Sequence, residues 1–434
     1  MAGMKELASQ VKQLEEQLVV CIRCGMCQAV CPLFEQTRRE SDVARGKLAL
    51  LDGLMKNMFT DPDGVSQRLN KCLLCGSCAA NCPSGVNVVE IFIRARAILA
   101  EFSGLSPAKK AIFRRMLGRP ETFDRITEWA GRFQSLFIKS DNNLQGTSCA
   151  RIISPLISGR HLLPLADRPF HAMTPGMNTP PGKSGLKVAV FTGCLIDKIF
   201  PRIAEAMIDV LSFHGVGIYI AEGQGCCGIP ALASGDRETF DRLVDHNVEL
   251  MKKEKFDYCV TACATCTSTI RKLWPALFRG SGGQAQAVRK FSEKTLDIHK
   301  FLVNSITLVD QAGQAGSASD TVTYHDPCHL KKSLGVAEEP RKLIRASGNI
   351  LKEMAGSDKC CGMGGSFNAY HYDISSSIGT LKQKAIVDTG ATTVATGCPA
   401  CMMQISDMLA RNNVDMAVKH PIELYREALR NHRG

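Results

Sequence analysis

Eight cysteines near the start of the chain are spaced to bind iron. Cys21, Cys24, Cys27 and Cys31 stand in CIRCGMCQAVCP, and Cys72, Cys75, Cys78 and Cys82 in CLLCGSCAANCP. Each iron of a cubane 4Fe–4S cluster takes one thiolate. Three cysteines at three-residue spacing wrap one cluster, and the fourth, followed by proline, reaches the other. This rule assigns Cys21, Cys24, Cys27 and Cys82 to a first cluster, and Cys72, Cys75, Cys78 and Cys31 to a second. Zinc knots require only paired CxxC elements and leave the third cysteine and the proline without a purpose. Two neighbouring cubanes carry electrons, so the chemistry expected here is electron transfer.

A second cysteine pattern occurs twice further along. Cys194, Cys226, Cys227, Cys263 and Cys266 read C-x31-CC-x35-C-x2-C, and Cys328, Cys360, Cys361, Cys398 and Cys401 read C-x31-CC-x36-C-x2-C. A register repeated at a period of about 134 residues marks an internal duplication. In each copy a β-branched run delivers a cysteine: KVAVFTGC and TVTYHDPC, then VGIYIA and NILKEM ahead of the CC pairs, then YCVTA and TTVAT ahead of the CxxC pairs. Helical stretches separate them, ETFDRLVDHNVELMKK and DISSSIGTLKQKAIV among them. Alternating strands and helices imply parallel sheets, with the cysteines at the carboxyl ends of strands where open α/β sheets hold ligands. Glycines beside the CC pairs are expected to let backbone approach an inorganic core. The helix that follows each CxxC favours thiolate.

The elements that must position the first eight cysteines are helical. Forty residues separate Cys31 from Cys72, with RGKLALLDGLMKNM among them, too long for a compact β-rich ferredoxin. Met4, Leu7, Val11, Leu14 and Leu18 form an apolar stripe expected to pack on its own domain. Another helix, VVEIFIRARAILAEF, follows Cys82. The expected fold is α+β and multidomain: a helical two-cluster ferredoxin domain over 1–140, a Pro/Gly/Ser-rich linker over 141–184, and a duplicated α/β parallel-sheet domain over 185–305 and 306–434.

The chain has 434 residues, 20 cysteines and a net charge of +11. Its charged N-terminal stretch does not read as a signal peptide, and no apolar run approaches the roughly 18 residues of a membrane span. The thiols therefore belong to a reducing, cytoplasmic setting and to metal. Basic residues are dispersed and aromatics are 6 %, with no recognition motif, so nucleic acid is not expected as a partner. The glycine-containing pieces CCGMGG and RGSGGQ lack the strand-to-helix setting of a dinucleotide site.

On these motifs the chain resembles iron–sulfur subunits in which a two-cluster ferredoxin domain precedes two cysteine-rich CCG domains: those of glycolate oxidase, D-lactate dehydrogenase and anaerobic glycerol-3-phosphate dehydrogenase, and the catalytic subunit of heterodisulfide reductase. The resemblance implies that a complete CCG set can hold a noncubane 4Fe–4S cluster, so one or two are expected beside the cubanes. It implies an FAD-containing partner that oxidises D-lactate, glycolate or a similar 2-hydroxy acid. Electrons would pass to a quinone-linked membrane partner, a ferredoxin or an electron-transfer flavoprotein, with the complex cytoplasmic or peripheral on the inner face of the membrane. The alternative it implies is catalytic, reduction of a disulfide at a noncubane cluster. Cys149 and Cys259 fall outside the repeat and read as structural thiols. His325 and His329 flank Cys328 and read as core histidines or as groups that tune a cluster; Tyr324 and Asp326 carry less signal.

Overall fold

A computed structural model describes residues 2–140, 148–150, 160–309 and 321–431. Up to Phe137 the described elements are all helical. The apolar stripe buries Leu7, Val11, Leu14 and Leu18, and helix α1 (Ala2–Lys12) packs on α2 (Ala44–Met55) and α3 (Val88–Ser103). In α2 the core residues are Leu48, Leu51 and Leu54; in α3 they are Ile91, Phe92, Ala95 and Leu99. Each of the leucine, isoleucine and phenylalanine side chains contributes about 1.5–3 kcal/mol on burial, so the cluster loops hang from a helical frame whose core runs on into that of the first repeat. Helix α4 (Pro120–Phe137) follows.

The stretch read as a linker carries short elements in its described part. His161–Leu162 pairs antiparallel with Ser148–Ala150, and strand β1 (Met177–Asn178) joins the first large sheet as an antiparallel edge.

Both repeats then fold alike. In the first, β2 (Lys187–Val190), β3 (Gly217–Ile220), β4 (Tyr258–Thr261) and β5 (Thr295–Asp297) form a parallel sheet in the order β1-β3-β2-β4-β5. In the second, β6 (Thr321–Tyr324), β7 (Ile350–Lys352), β8 (Thr393–Ala395) and β9 (Ala417–Lys419) take the matching order β7-β6-β8-β9, again parallel. Most residues of β2, β3, β4, β6 and β8 are buried, as expected for parallel strands covered on two faces. Helices α5 (Arg237–Met251) and α6 (Tyr372–Val387) follow the CC pairs at the expected places.

The glycines after the CC pairs also answer to packing within the fold. A Cβ at Gly228 would lie 2.8 Å from the Phe240 ring, and one at Gly362 would lie 2.5 Å from the Ser375 carbonyl oxygen; both glycines have positive φ. The glycine after each CC pair therefore makes room for the long helix of its repeat, α5 or α6.

Candidate iron–sulfur sites

The two N-terminal cysteine loops follow the same path. Arg23 and Gly25 in the first, Leu74 and Gly76 in the second, have φ of 58°, 86°, 53° and 70°. Left-handed backbone at the non-glycine residues Arg23 and Leu74 costs about 1–3 kcal/mol each, strain of a kind concentrated at ligand clamps. The turns point thiols inward around two cavities. One is lined by Cys21, Cys24, Cys27, Cys78 and Cys82, the other by Cys31, Cys72, Cys75 and Cys78. The fourth cysteine of each run thus lines the other run's cavity. Pro32 opens a short helix at its first turn, and Cys31 caps it with Sγ accepting the Phe34 amide at 3.5 Å. Pro32 starts this helix so that the Cys31 thiol leaves its own loop.

Thiols packed this way resist ionising together. Burial pushes Cys31 up to about 11; burial, then the neighbouring Cys72, Cys75, Cys31 and Cys27, pushes Cys78 well up. A cationic iron core would offset the repulsion, so the donor set fits such a group. Buried cations stand by: Lys47 Nζ donates to the carbonyls of Asp42 and Lys71 at 2.6 and 2.8 Å. The Arg96 guanidinium donates to the carbonyls of Leu69, Cys72 and Ala233 at 2.6, 2.9 and 2.8 Å, tying the second loop to the first repeat.

In the first repeat Cys194, Cys226, Cys227, Cys263 and Cys266 gather at the carboxyl end of the sheet. Cys194 and Cys226 Sγ are 3.7 Å apart, and Cys227 and Cys266 are within hydrogen-bond reach. Asn247 on α5 holds the loop, its amide donating to the Cys226 carbonyl at 3.0 Å while its oxygen accepts from Gly225 at 2.9 Å. In the second repeat Cys328 reaches Cys360, Cys361 and Cys401 Sγ are 3.4 Å apart, and Cys398 lies beside Cys401. One repeat length after Asn247 stands Lys382, buried, whose Nζ donates to the Gly356 carbonyl at 2.7 Å; burial lowers it to about 8. The second set thus has a buried ammonium where the first has a neutral amide.

The four sets abut in series. Cys78 lines both N-terminal cavities, Cys75 lies within hydrogen-bond reach of Cys360, and Cys263 within reach of Cys398. Leu33, Leu73, Cys360, Phe367 and Ile378 form an apolar cluster over the second of these contacts. Gly364 permits the approach, for a Cβ there would lie 3.1 Å from the Leu73 Cα.

Side chains from different domains clasp these contacts. His329 receives the Thr265 hydroxyl at Nδ1 (3.1 Å) and donates from Nε2 to the Leu74 carbonyl (3.3 Å), while Thr265 Oγ1 also lies 3.6 Å from Cys398 Sγ. Lys332 donates to the Ser77 hydroxyl at 2.6 Å, and that hydroxyl lies 3.4 Å from Cys75 Sγ. His325 donates from Nδ1 to the Ser357 carbonyl at 3.1 Å; a ring nitrogen lies within 4.8 Å of the Cys361 and Cys401 sulfurs, and Nε2 has no hydrogen-bond partner. Burial lowers His325 to about 3, leaving a neutral imidazole facing the second set. Both flanking histidines thus adjoin the sites.

Asp326 has a structural role instead. Arg341 grips it bidentately at 2.8 and 3.0 Å and lies 5.1 Å from the centre of the Tyr324 ring. Replacing Asp326 by Asn should destabilise the second repeat by about 3 kcal/mol, because Arg341 would keep the half-exposed Glu353 as its remaining carboxylate partner. A drop in the thermal unfolding midpoint measures it. Cys259 is buried on β4 and raised by burial to about 12, consistent with a structural thiol; the Cys149 side chain lies outside the described residues.

Sequence reasoning missed His299 and His420. Their rings stack at 4.9 Å where the repeats meet, with His299 Nδ1 2.8 Å from Asp297 Oδ1. Each stands just beyond the end of a fourth strand, β5 or β9. That position was the available signal.

Comparison with known proteins agrees with this geometry. Residues 17–86 match the 4Fe-4S dicluster domain, and residues 188–271 and 322–406 each match the cysteine-rich domain. The chain is 26 % identical to the probable glycolate oxidase iron-sulfur subunit of Bacillus subtilis (strain 168), covering 98 % of this chain and 97 % of that protein. It is 27 % identical to a subunit of the fumarate reductase (CoM/CoB) of Methanothermobacter marburgensis, over 97 % of this chain and 74 % of that one. Lactate utilization protein A 2 of Bacillus cereus (strain AH820) is 29 % identical over 56 % of this chain and 99 % of its own. The fold is similar to a solved structure of a hypothetical protein from Helicobacter pylori, with a TM-score of 0.53 at 9 % identity over 98 % of this chain and 76 % of that one. The chain therefore belongs to the iron–sulfur proteins that join a 4Fe-4S dicluster domain to two cysteine-rich CCG domains.

Proposed function

We propose that this chain is the electron-relay subunit of an oxidoreductase complex, taking electrons from an FAD-dependent 2-hydroxy acid dehydrogenase of the D-lactate or glycolate type and passing them to a quinone, a ferredoxin or an electron-transfer flavoprotein. The observation that carries the reading is the serial contact of the four thiol sets. Cys21, Cys24, Cys27 and Cys82 would hold one cubane; Cys72, Cys75, Cys78 and Cys31 would hold the next; the two five-cysteine sets would hold noncubane clusters. These groups supply one-electron steps between a two-electron flavin and the acceptor. The protein's part is to space them and exclude water between them.

The exposed end of the series suits the flavoprotein. Cys24 is exposed, and Val19, Ile22 and Met26 around it are 71 %, 68 % and 54 % exposed, an apolar rim of the kind that anchors a protein partner. Purified anaerobically, the chain should contain no flavin, and D-lactate or glycolate should bleach its visible absorption only when the dehydrogenase is added. Ile22→Glu should slow that bleaching about tenfold with dithionite reduction unchanged. Stoichiometric FAD, or bleaching without a partner, would defeat the proposal.

The contact of Cys263 with Cys398 favours a second reading, in which a disulfide substrate is reduced where the repeats meet. Two electrons from the clusters and two protons would convert one disulfide into two thiols. Viologen-driven thiol release from a low-molecular-weight disulfide separates this from pure relay.

A further inference from the structure

The inner face of α4 is fully engaged and its outer face is bare. Inward, Gln134 exchanges two 2.9 Å hydrogen bonds with the Leu165 backbone, Asp124 pairs with the buried Lys198 at 2.5 Å, and Glu128 meets His171 at 2.9 Å. Outward, Ile126, Trp129 and Phe133 are 42 %, 62 % and 42 % exposed. Steps of three and four residues set them in one stripe, and the two aromatic rings lie 5.2 Å apart.

The exposed charges around this stripe are five cations against one acid. Arg125 and Arg132 are exposed on α4, Arg119 just before it, and Lys110 and Arg115 on the preceding segment, which packs against α4 and exposes Ile112 as well. Of the three acids in residues 107–135, Asp124 and Glu128 are drawn inward by Lys198 and His171; Glu121 alone is exposed. A narrow aromatic stripe among five exposed cations is complementary to anionic headgroups over acyl chains. Tryptophan in particular settles at that boundary, its ring apolar and its N–H wet.

We infer that this face of α4 seats the protein on an anionic lipid bilayer, with the helix lying in the plane of the surface and Trp129 and Phe133 entering the headgroup–acyl boundary. No helix among the described residues is long and apolar enough to cross a membrane, and the inferred attachment is peripheral. The inference stands independently of the redox reading.

The test is flotation of the anaerobically purified, cluster-loaded protein with vesicles of phosphatidylcholine alone or mixed with phosphatidylglycerol. It should float with the mixed vesicles, release at about 1 M salt, where screening reaches 3 Å, and remain behind with phosphatidylcholine. Trp129→Ser/Phe133→Ser and, separately, Arg125→Glu/Arg132→Glu should each cut the bound fraction at least about tenfold with iron content and visible spectrum unchanged. The unaltered protein provides an independent readout. Its two tryptophans are Trp129 and the fully buried Trp274, so bromine-labelled phosphatidylglycerol should quench Trp129 emission. Absence of flotation with the mixed vesicles, absence of quenching, or undiminished binding in both variants would overturn the inference. A protein dimer that Trp129→Ser/Phe133→Ser converts to monomer would overturn it too, by showing that a second copy covers the stripe.

Discussion

Replacing Cys31 by Ser should remove the iron–sulfur centre associated with Cys72, Cys75 and Cys78, forty residues away in the chain, and leave the centre of its own loop intact. The Cys31 thiol lines the second cavity and caps a helix whose proline carries the chain out of the first loop. The variant should lose about four irons, one cubane's worth, and keep a single cubane signal when chemically reduced. The functional effect should exceed the loss of iron. This site lies between the exposed first set and Cys360 of the second repeat, so flavoprotein-driven reduction of the CCG sets should fall by orders of magnitude while dithionite still reduces them. Cys82→Ser should do the converse, removing the first cubane and sparing the second. Spectra in which Cys31→Ser affects only the Cys21, Cys24 and Cys27 centre would refute the crossed ligation.

Much of the second half was legible because its strands are short apolar runs that end on cysteine. KVAV, GIYI and YCVT are strands in the structure as they read in the sequence. The fourth strands, Thr295–Asp297 and Ala417–Lys419, were not legible. Each has three residues, lies at a sheet edge and ends without a cysteine. The helical frame could be read from the stripe of α1 and from the length of the gap between the cysteine runs.

What no local pattern encodes is contact between domains. Arg96 sits in an ordinary amphipathic helix, yet its guanidinium collects carbonyls from the second loop and from Ala233, far along the chain. Lys382 looks like one of many helical lysines until the fold buries it beside the CC loop. His329 flagged itself by adjacency to Cys328, but its bridge from Thr265 to Leu74 needs all three domains in place. Periodicity reports which face of an element is buried. It is silent about which other element will cover that face.

The buried cations bear on how the centres differ. Lys47 and Arg96 lie near Cys72, and Lys382 near Cys360 and Cys361. Hydrogen bonds, net charge and exposure set the potential of an iron–sulfur centre, and a nearby buried cation favours the reduced, more negative form. The second set should therefore be the more easily reduced of the two CCG sites, since Asn247 occupies the matching place in the first. With clusters in place, that ordering would favour electron transfer from the cubanes to the second set.

The count of iron tests the whole assignment. Two cubanes and two further four-iron centres amount to about 16 irons per chain, at four per 4Fe–4S cluster. The geometry supports iron over zinc in the repeats, because each gathers five cysteines. A tetrahedral zinc ion has four places and would leave a buried thiol idle beside it. Adjacent cysteines such as Cys226 and Cys227 can instead serve two neighbouring irons of an irregular cluster. Cys361→Ala is the sharper variant, because Cys398 adjoins Cys263 of the other set whereas Cys361 faces Cys401. It should lower the count by about four irons, to about 12, with both cubane signals and the first repeat's centre retained. Anaerobically purified parent protein with about eight irons and one or two zincs would defeat the noncubane assignment, and with it disulfide reduction where the repeats meet. A loss of about eight irons from Cys361→Ala alone would mean that the two repeats share one bridged centre across the contact between Cys263 and Cys398.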